Sequence, residues 1–255
     1  DFCYTYLVKN ENGSVRYEWG KPHEFIGSKG VKSYELLDKW NDQPENKAFF
    51  SSAFTEGIFS RKRDKQLQRP ECGGVIMRVF APVVKSDEVL AISGDCEALG
   101  NWNPKKALPL NSYNFPEWEI ALDKSIVKEA FNYKFLILKK GVKKEVVAWE
   151  YTENRYFGLQ VPADGVISVS GLYFNDPQPA WKGAGTAIPV FSLRSEEDFG
   201  VGDFYDLFKM VDWAKETGQR IIQLLPINDT TMTHTWVDSY PYKANSTFAL
   251  HPMYL

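Results

Sequence analysis

Two tryptophans and two polar residues in the middle of the chain have the chemistry of a carbohydrate-binding surface. Trp102 and Trp149 each offer a large, rigid apolar face, and the C–H groups of a sugar ring carry the slight positive charge that such a π-face attracts. An aromatic surface alone would hold any flat apolar ligand, so recognition of hydroxyl groups needs hydrogen-bond donors beside it. Lys134 and Asn154 supply an ammonium group and an amide. Together these residues predict a site where a sugar stacks on indole rings.

Each candidate also has an ordinary structural role. Trp118 lies between two glutamates in an alternating stretch, which favours core packing over binding. Trp102 lies between Gly100-Asn101 and Asn103-Pro104, a turn-rich context that favours an exposed loop. Lys134 alone would be interpreted as a surface lysine, so its assignment depends on the residues around it.

The elements that position these residues are short β-strands. Period-two alternation begins at Val75, and further strand-like runs follow with turn residues between them, at residues 89–92, 118–122, 131–138, 146–149 and 166–169. Short strands at such spacing predict an antiparallel β-sandwich.

Four motifs in this region resemble, in order and spacing, a starch-binding carbohydrate-binding module of family 20. They are Leu99-Gly100-Asn101-Trp102, Pro116-Glu117-Trp118, Tyr133-Lys134-Phe135, and Ala148-Trp149-Glu150 running to Asn154-Arg155. The resemblance covers about Gly73 to Phe174 and implies a sandwich that binds α-1,4-glucans. The implied sugar site consists of Trp102, Lys134, Trp149, Glu150 and Asn154. Many members carry a second site built on tyrosines, and here only Tyr113 lies near one of its positions.

The first 25 residues resemble part of the same module. Residues 2–8 match residues 131–137, and residues 15–18 match residues 147–150, with the hairpin signal Asn12-Gly13 in between. An internal repeat of this kind predicts tandem modules, of which the first is incomplete at its start.

The first copy differs from the second at the candidate site. Thr5 stands in place of the lysine, Tyr17 in place of the strand-end tryptophan and Pro22 in place of the asparagine. The counterpart of Trp102 would precede Asp1. We therefore expect an incomplete aromatic surface in this copy, to which Tyr17 and Trp19 could still contribute.

Residues 27–71 follow neither pattern. Leu36, Leu37 and Trp40 have helical spacing, which indicates a helix near residues 33–40. The stretch is too long for a plain loop in a compact protein, so we interpret it as the tail of the first copy and a packed linker. The basic cluster at residues 61–63 is interrupted by an aspartate, which favours a solvated surface.

The last part of the chain has an α/β pattern. After residues 175–179, a linker by composition, an apolar run at residues 186–191 predicts a strand. An i, i+3, i+4, i+7 apolar stripe then predicts a helix with Asp203 as N-cap and Gly218 after its end. Residues 220–226 predict a buried second strand, so the segment is a βαβ unit with parallel strands.

This segment resembles the beginning of a family-77 glycoside hydrolase, a family of 4-α-glucanotransferases. The matching residues are 191–195, 200–204, 223–226, 238–242 and 246–252. The resemblance implies a (β/α)8 barrel that cleaves with retention through an Asp nucleophile, a Glu acid/base and a stabilising Asp. These carboxylates belong to later strands of the barrel, so no catalytic residue is assigned within this chain. Tandem starch-binding modules before such a barrel resemble the disproportionating enzymes of that family.

The resemblance also implies a donor-sugar site on the loop that carries residues 239–242. Ser239 and Tyr242 match the serine and tyrosine of the family's Ser-Pro-Tyr segment, and Tyr240 is an additional residue between them. Core packing under the loop is the alternative for Tyr242.

Composition limits the remaining possibilities. The chain has 255 residues, a net charge of −3 and 15% aromatic residues, which is typical of a globular protein and leaves no basic patch for nucleic acid. No apolar run approaches the ~20 residues of a membrane span. Three cysteines, Cys3, Cys72 and Cys96, lack metal-ligand spacing and favour reduced thiols in a cytoplasmic protein. Neither a metal nor an organic cofactor is indicated.

The sequence therefore predicts a mainly β chain with five parts: a partial first module at residues 1–40, a linker at 41–71, a second module at 72–176, a linker at 177–185 and the start of a barrel at 186–255. The favoured function is that of a 4-α-glucanotransferase acting on maltose, maltooligosaccharides, starch and glycogen. This chain would be an excerpt that binds glucan and is itself inactive. A non-catalytic starch- or glycogen-binding protein is the alternative, and an α-amylase-like hydrolase fits the barrel motifs poorly.

Overall fold

The computed structural model describes residues 1–68, 73–141, 144–177 and 181–255. The chain forms two compact units, Asp1–Ala180 and Trp181–Leu255, which are described one at a time. Cys72 and the predicted module boundary beside it lie outside the described residues, as does the Gln178-Pro179 part of the predicted linker.

The front segment, residues 1–68, contributes five short strands to the first unit. They are β1 (Phe2–Tyr4), β2 (Leu7–Lys9), β3 (Val15–Tyr17), β4 (His23–Phe25) and β5 (Ser33–Asp38). β1 pairs with β4 and β2 pairs with β3, both antiparallel. A 3-10 helix at Lys47–Phe50 and a π-helix at Ala53–Ile58 follow.

Residues 73–177, here called the sandwich, form the larger part of the first unit. Its strands are β6 (Gly74–Phe80), β7 (Glu88–Gly94), β8 (Leu108–Pro109), β9 (Glu117–Asp123), β10 (Phe131–Lys139), β11 (Val146–Trp149), β12 (Arg155–Phe157) and β13 (Gly165–Tyr173). One sheet has the order β11-β10-β7-β8, with β12 also paired to β10, and the other has the order β5-β13-β6-β9. The mainly β fold class is confirmed. All pairings are antiparallel except those of β13, which is parallel to both β5 and β6.

Alternation along the strands builds the core between the two sheets. Val75 and Met77 of β6, with Ile167 of β13, are fully buried on one side, and Ile92 and Phe135 are fully buried on the other. Trp118 is completely buried, and its indole N–H donates to the carbonyl of Ala81 over 3.1 Å. The core role favoured for Trp118 is thus confirmed.

The internal repeat is present in the strand registers. Phe2 pairs with Phe25 and Tyr4 with His23. In the sandwich, Phe131 pairs with Phe157 and Tyr133 with Arg155. The first strands of the two pairings align with an offset of 129 residues and the second strands with an offset of 132, as expected if the front segment is a partial copy of the sandwich with a shorter loop.

The helix predicted near residues 33–40 is wrong, because residues 33–38 form strand β5. Each residue of β5 lies in parallel register with β13, from Ser33 opposite Gly165 to Asp38 opposite Ser170. Local apolar spacing favoured a helix, but the ladder with β13 decides the conformation, since strand formation depends on the neighbours that a residue finds.

The outer face of the four-stranded sheet is polar and is covered by the front segment. Ser168 and Ser170 are buried there, and Arg78 donates to the hydroxyl of Ser168 over 3.0 Å. Asp38 accepts hydrogen bonds from the hydroxyl groups of Ser170 and of Tyr4. These contacts satisfy polar groups that burial would otherwise leave unpaired.

The basic cluster at residues 61–63 is only partly solvated. The Arg61 guanidinium lies 4.3 Å from the ring centre of Trp118 and donates to the carbonyls of Val84 and Glu88 over 3.2 and 2.7 Å. Asp64 accepts from both the backbone and the side chain of Ser112 over 2.8 Å. The expectation of a solvated surface therefore fails for Arg61, whereas its two basic neighbours are exposed.

The second unit contains the predicted βαβ arrangement. β14 (Gly185–Ile188) and β15 (Ile221–Leu224) are parallel neighbours, and α1 (Asp206–Glu216) lies between them in sequence. Asp203 accepts from the N–H groups of Tyr205 and Asp206 over 2.8 and 3.2 Å, so it caps the beginning of the helix. Gly218 follows the helix with φ of +72°, which agrees with its predicted position.

No helix in the described ranges has the length and apolar character needed to cross a membrane. Cys3 and Cys96 are free thiols.

Candidate functional site

A tight turn presents Trp102 at the end of β7. A 3-10 helix, Glu97–Leu99, leads into Gly100, Asn101 and Trp102, which have φ values of +84°, +49° and +60°. A positive φ is uncommon in a residue with a side chain, and for a bulky one it is a genuine outlier. The Trp102 N–H donates to the carbonyl of Gly94 over 2.8 Å, which ties the strained turn to the strand.

The turn is held from below by buried groups. Leu99 is completely buried, and its carbonyl accepts from the hydroxyl of Ser93 over 3.0 Å. A Cβ atom at Gly94 would clash with the carbonyl oxygen of Asn132. Only glycine therefore fits at this last residue of β7, where the turn begins. Backbone strain that persists at one place is a signal of function, and here it sets the direction of Trp102.

Trp149 ends β11 and lies beside Trp102. It pairs with Leu136 of β10 and packs against a small buried cluster formed by Ala91, Ala107, Leu136 and Leu138. The two indole ring centres are 6.4 Å apart, and the ring planes are inclined by 56°. Both rings are half-buried. The tryptophans therefore meet as predicted, but as two inclined walls and not as a flat platform.

The two predicted polar partners lie at the same end of the sheet. Lys134 of β10 is opposite Ser93, next to the pair of Gly94 and Tyr133 where the Trp102 turn begins. Lys134 and Leu136 are two residues apart on β10, so their side chains lie on the same face of the sheet. Because Leu136 is paired with Trp149, Lys134 and Trp149 lie on that face as well. Asn154 is exposed in the loop between β11 and β12. Both polar residues thus lie on the strands and loop next to those that carry the two tryptophans.

Glu150 does not have the role that the sequence indicated. Its side chain is fully buried, and its Oε1 accepts from the backbone N–H of Phe135 over 2.8 Å. Both carboxylate oxygens also accept from the Arg155 guanidinium. A carboxylate that is enclosed and fully engaged has no lone pair for a sugar hydroxyl, so we assign Glu150 to the framework of the site.

The corresponding surface of the front segment is incomplete. Tyr17, which aligns with Trp149, is 61% exposed. Trp19 is half-buried and has its ring edge-on to Phe50, 5.0 Å between centres. The hydroxyl of Thr5 donates to Glu18 over 3.2 Å. Tyr17 presents an open ring at the position aligned with Trp149, whereas the Trp19 ring is packed against Phe50.

A cavity of about 190 Å³ lies in the second unit, beyond the carboxyl end of β15. Ser239 and Pro241 line it, together with Asn228 and His251. Tyr240 and Tyr242 are exposed, with ring centres 5.5 Å apart. The structure therefore brings Ser239 to the cavity and leaves the tyrosine pair outside its lining. His251 was not assigned to the site from the sequence, because an imidazole residue in a loop has no distinctive spacing.

Asp238 organises the loop before these residues. Its carboxylate accepts from the backbone N–H groups of Met232, Thr233 and His234 over 2.7 to 3.1 Å, and from the hydroxyl of Thr233. Desolvation acts to raise the pKa of Asp238, but these hydrogen bonds outweigh it and lower the pKa to about 2. The carboxylate is therefore a structural anion, consistent with the view that no acid in this chain is the nucleophile.

Two remaining questions concern Tyr113, which lies near a position of the second sugar site, and metal binding. Tyr113 is partly exposed, and its N–H donates to the Asn111 side chain over 2.8 Å. Within the described residues, no group of three or more His, Cys, Asp or Glu side chains is arranged to hold a metal ion.

Comparison with known families identifies two classes of domain in the chain. Residues 74–168 match the starch binding domain family, and residues 188–255 match the 4-alpha-glucanotransferase family of glycoside hydrolases. The chain therefore contains one segment similar to a starch binding domain, followed by one similar to part of a 4-alpha-glucanotransferase domain. Both resemblances stated from the sequence are confirmed.

The chain is similar to 4-alpha-glucanotransferase DPE2 of Oryza sativa subsp. japonica, with 34% identity over 99% of this chain and 28% of that protein. The 4-alpha-glucanotransferase of Chlamydia trachomatis is 44% identical over 28% of this chain and 12% of that protein. The chain thus spans about a quarter of the length of its rice relative. Among solved structures, the family 20 module of a maltotetraose-forming amylase from Pseudomonas saccharophila matches with a TM-score of 0.33 and 20% identity, over 38% of this chain and 99% of that module.

Proposed function

We propose that the sandwich binds α-1,4-glucan between Trp102 and Trp149. The observation that carries this proposal is the pair of half-buried indole rings, 6.4 Å apart and inclined by 56°. An α-1,4-linked glucose chain curves, so two inclined aromatic walls can each contact the apolar face of a glucose unit. Lys134 and Asn154 then supply hydrogen bonds to hydroxyl groups at the edge of the rings.

The cost of building the turn supports this assignment. Holding Asn101 and Trp102 at positive φ costs on the order of 1–3 kcal/mol for each residue. Trp102 contributes no fully buried apolar surface in return, because its ring is half-buried. A bound ligand that covers the ring is the simplest physical reason for such a conformation.

We propose further that the whole protein is a cytoplasmic 4-α-glucanotransferase that redistributes glucosyl units among maltose, maltooligosaccharides and larger glucans such as starch and glycogen. The family matches of both segments support this activity. The parallel β14 and β15 pair with α1 between them fits the beginning of a (β/α)8 barrel, in which sugar sites lie at the carboxyl ends of the strands. Ser239, Tyr240 and Tyr242 are proposed to line the donor-sugar site. The catalytic carboxylates are proposed to lie outside this chain, and neither nucleic acid nor a membrane is a proposed partner.

Incubation with maltotriose and chromatography of the products can test whether the chain binds glucan while transfer requires the whole protein. The whole protein should redistribute maltotriose into shorter and longer chains with little free reducing sugar gained, whereas the 255-residue chain should bind glucan and leave maltotriose unchanged. Redistribution by the 255-residue chain would contradict the proposal, since retaining cleavage needs two carboxyl groups about 5–5.5 Å apart. Glucan binding without redistribution by the whole protein would favour the non-catalytic alternative.

A further inference from the structure

The loop between β11 and β12 is closed by one buried ion pair. Glu150 follows Trp149 at the end of β11, and Arg155 follows Asn154 at the beginning of β12. The two charged residues therefore bracket the loop, and each is the immediate neighbour of a residue in the candidate sugar site.

The ion pair of Glu150 and Arg155, here called the bracket, has a rigid geometry. Arg155 Nη2 lies 2.7 Å from Glu150 Oε2, and Arg155 Nε lies 3.0 and 3.1 Å from the two carboxylate oxygens. Such bidentate contact fixes orientation as well as distance. Arg155 also donates to the carbonyl of Tyr173 over 2.7 Å and lies 5.3 Å from the ring centre of Phe135. The bracket thus joins the loop to β13 of the other sheet.

Glu150 also joins the loop to β10. The backbone N–H of Glu150 donates to the carbonyl of Phe135 over 3.0 Å, and the carboxylate accepts from the N–H of the same residue over 2.8 Å. Phe135 is thereby held by both the backbone and the side chain of Glu150, one position from the pairing of Leu136 with Trp149. The strand that carries Trp149 cannot shift along β10 while both contacts exist.

The front segment repeats the bracket independently. Glu18 donates its N–H to the carbonyl of Tyr6 over 3.1 Å, and its carboxylate accepts from the N–H of Tyr6 over 2.8 Å. Five residues later His23 takes the place of Arg155, with Nε2 2.9 Å from Glu18 Oε1. In both loops a glutamate directly follows Trp149 or the residue aligned with it, and a nitrogen group five residues later contacts that glutamate. The nitrogen group is the Arg155 guanidinium in the sandwich and the His23 imidazole in the front segment.

We infer that Glu150 and Arg155 are positioning residues of the sugar site, which hold Trp149 and Asn154 at their places around the ligand without touching it. This inference rests on the proposed glucan binding by the sandwich. Loss of the bracket allows the end of β11 to turn, which changes the inclination between Trp149 and Trp102 and carries Asn154 away from the rings.

The test combines calorimetry with ¹⁹F NMR on the full 255-residue chain labelled with 5-fluorotryptophan. Arg155→Met should weaken β-cyclodextrin binding at least about tenfold, the scale on which misplacement of positioned groups acts. It should also move the Trp149 signal, which a Trp149→Phe variant assigns, and leave the Trp213 signal of the second unit in place. Arg155→Lys keeps the charge but loses the bidentate contact, so it should have a smaller effect of the same kind.

Arg78→Met is the matched control, because Arg78 forms a comparable ion pair with Glu119 at 3.3 Å on the outer face of the other sheet. It should lower thermal stability while leaving both the β-cyclodextrin affinity and the Trp149 signal essentially unchanged. Unchanged affinity and an unmoved Trp149 signal in a folded Arg155 variant would overturn the inference, and Arg155→Lys carries the test if Arg155→Met does not fold. If the unmodified chain fails to bind β-cyclodextrin, the proposed function fails. The Trp149 signal then separates the two failures: movement in the Arg155 variants supports the claim that the ion pair positions Trp149, and no movement overturns that claim as well.

Discussion

Glu18 Oε1 lies 2.9 Å from His23 Nε2 within the front segment, and both side chains are buried. The imidazole is also stacked on Tyr4, and its Nδ1 lies 3.1 Å from the Ser170 hydroxyl and 3.7 Å from Asp38. His23 is therefore both the end of the front bracket and a contact with the sandwich. The front segment and the sandwich share a polar interface in which two carboxylates and a histidine are enclosed.

We expect the front segment to detach from the sheet in acid. Burial acts to raise the pKa of Asp38, but hydrogen bonds from Ser170 and Tyr4 and the nearby His23 outweigh it, so its pKa is lowered. The pKa of Glu18 is lowered in the same way, against burial, by the backbone N–H of Tyr6 and by His23. A lowered folded-state pKa stabilises the protein above the ordinary carboxyl range of about 4, and this stability is lost as the pH falls through the folded-state value.

Thermal unfolding between neutral and acidic pH measures this effect. Asp38→Asn should lower the midpoint temperature of unfolding at neutral pH. It should also reduce the further decrease of that temperature in acid, because the titrating group has been removed. Glu35→Gln is the control, since Glu35 lies on the same strand and is exposed. An acid transition of the same steepness in Asp38→Asn and in the unmodified chain would show that Asp38 does not control it.

Arg61 should be the only stabilising member of the basic cluster at residues 61–63. Arg61→Met removes hydrogen bonds to two carbonyls and the contact with Trp118, so it should lower the free energy of unfolding by about 2 kcal/mol or more. Lys62→Met and Arg63→Met should change it by less than about 0.5 kcal/mol, as exposed substitutions usually do. Urea unfolding of the three variants compares them directly, and equal effects at all three positions would contradict the assigned contacts of Arg61.

Asp238→Asn should loosen the loop at residues 230–239. The variant loses the charge that four backbone and side-chain donors share, so the N–H groups of Met232, Thr233 and His234 should exchange faster with solvent. Because the pKa of Asp238 is lowered to about 2, the loop of the unmodified protein should keep its protection until the pH falls well below the ordinary carboxyl value. Asp212→Asn, on the exposed face of α1, is the control for hydrogen exchange, and equal protection in Asp238→Asn would exclude the proposed role.

Several features of this fold were predictable because local residue patterns and tertiary contacts agree. The alternation from Val75 onward specifies the sandwich, and the match of residues 2–8 with residues 131–137 specifies the repeated hairpin. Gly218 has the conformation that its position after a helix requires. In each case the chain segment itself contains the physical reason for its structure.

Other features depend on contacts that sequence spacing does not reveal. β5 was mistaken for a helix because its ladder with β13 joins residues far apart in the chain. Glu150 is next to Trp149 in sequence, which suggested a sugar contact, but the strand directs its carboxylate inward to Arg155 and Phe135. Trp102 lies at positive φ, a conformation that Asn-rich turn chemistry allows but does not specify, and the 56° inclination of its ring to Trp149 has no signal in the sequence.

We expect one glucan site in the first unit. In the front segment, the position aligned with Trp149 carries the exposed ring of Tyr17, whereas in the sandwich Trp102 and Trp149 form a pair. Calorimetric titration with β-cyclodextrin should give close to one molecule bound per chain, and Tyr17→Ala should leave the affinity unchanged. Two equivalent sites would show that the front segment has a working surface of its own.

The central claim is that Trp102 and Trp149 bind glucan, and calorimetry with β-cyclodextrin tests it most directly. Trp102→Gly is the sharpest variant, because glycine accepts the φ of +60° and removes the ring without straining the turn. This variant and Trp149→Ala should each weaken binding by about 1–3 kcal/mol, the scale measured for stacking of flat rings on aromatic side chains, while Trp118 remains buried and the chain remains folded. Undiminished binding by the folded double variant would contradict the account.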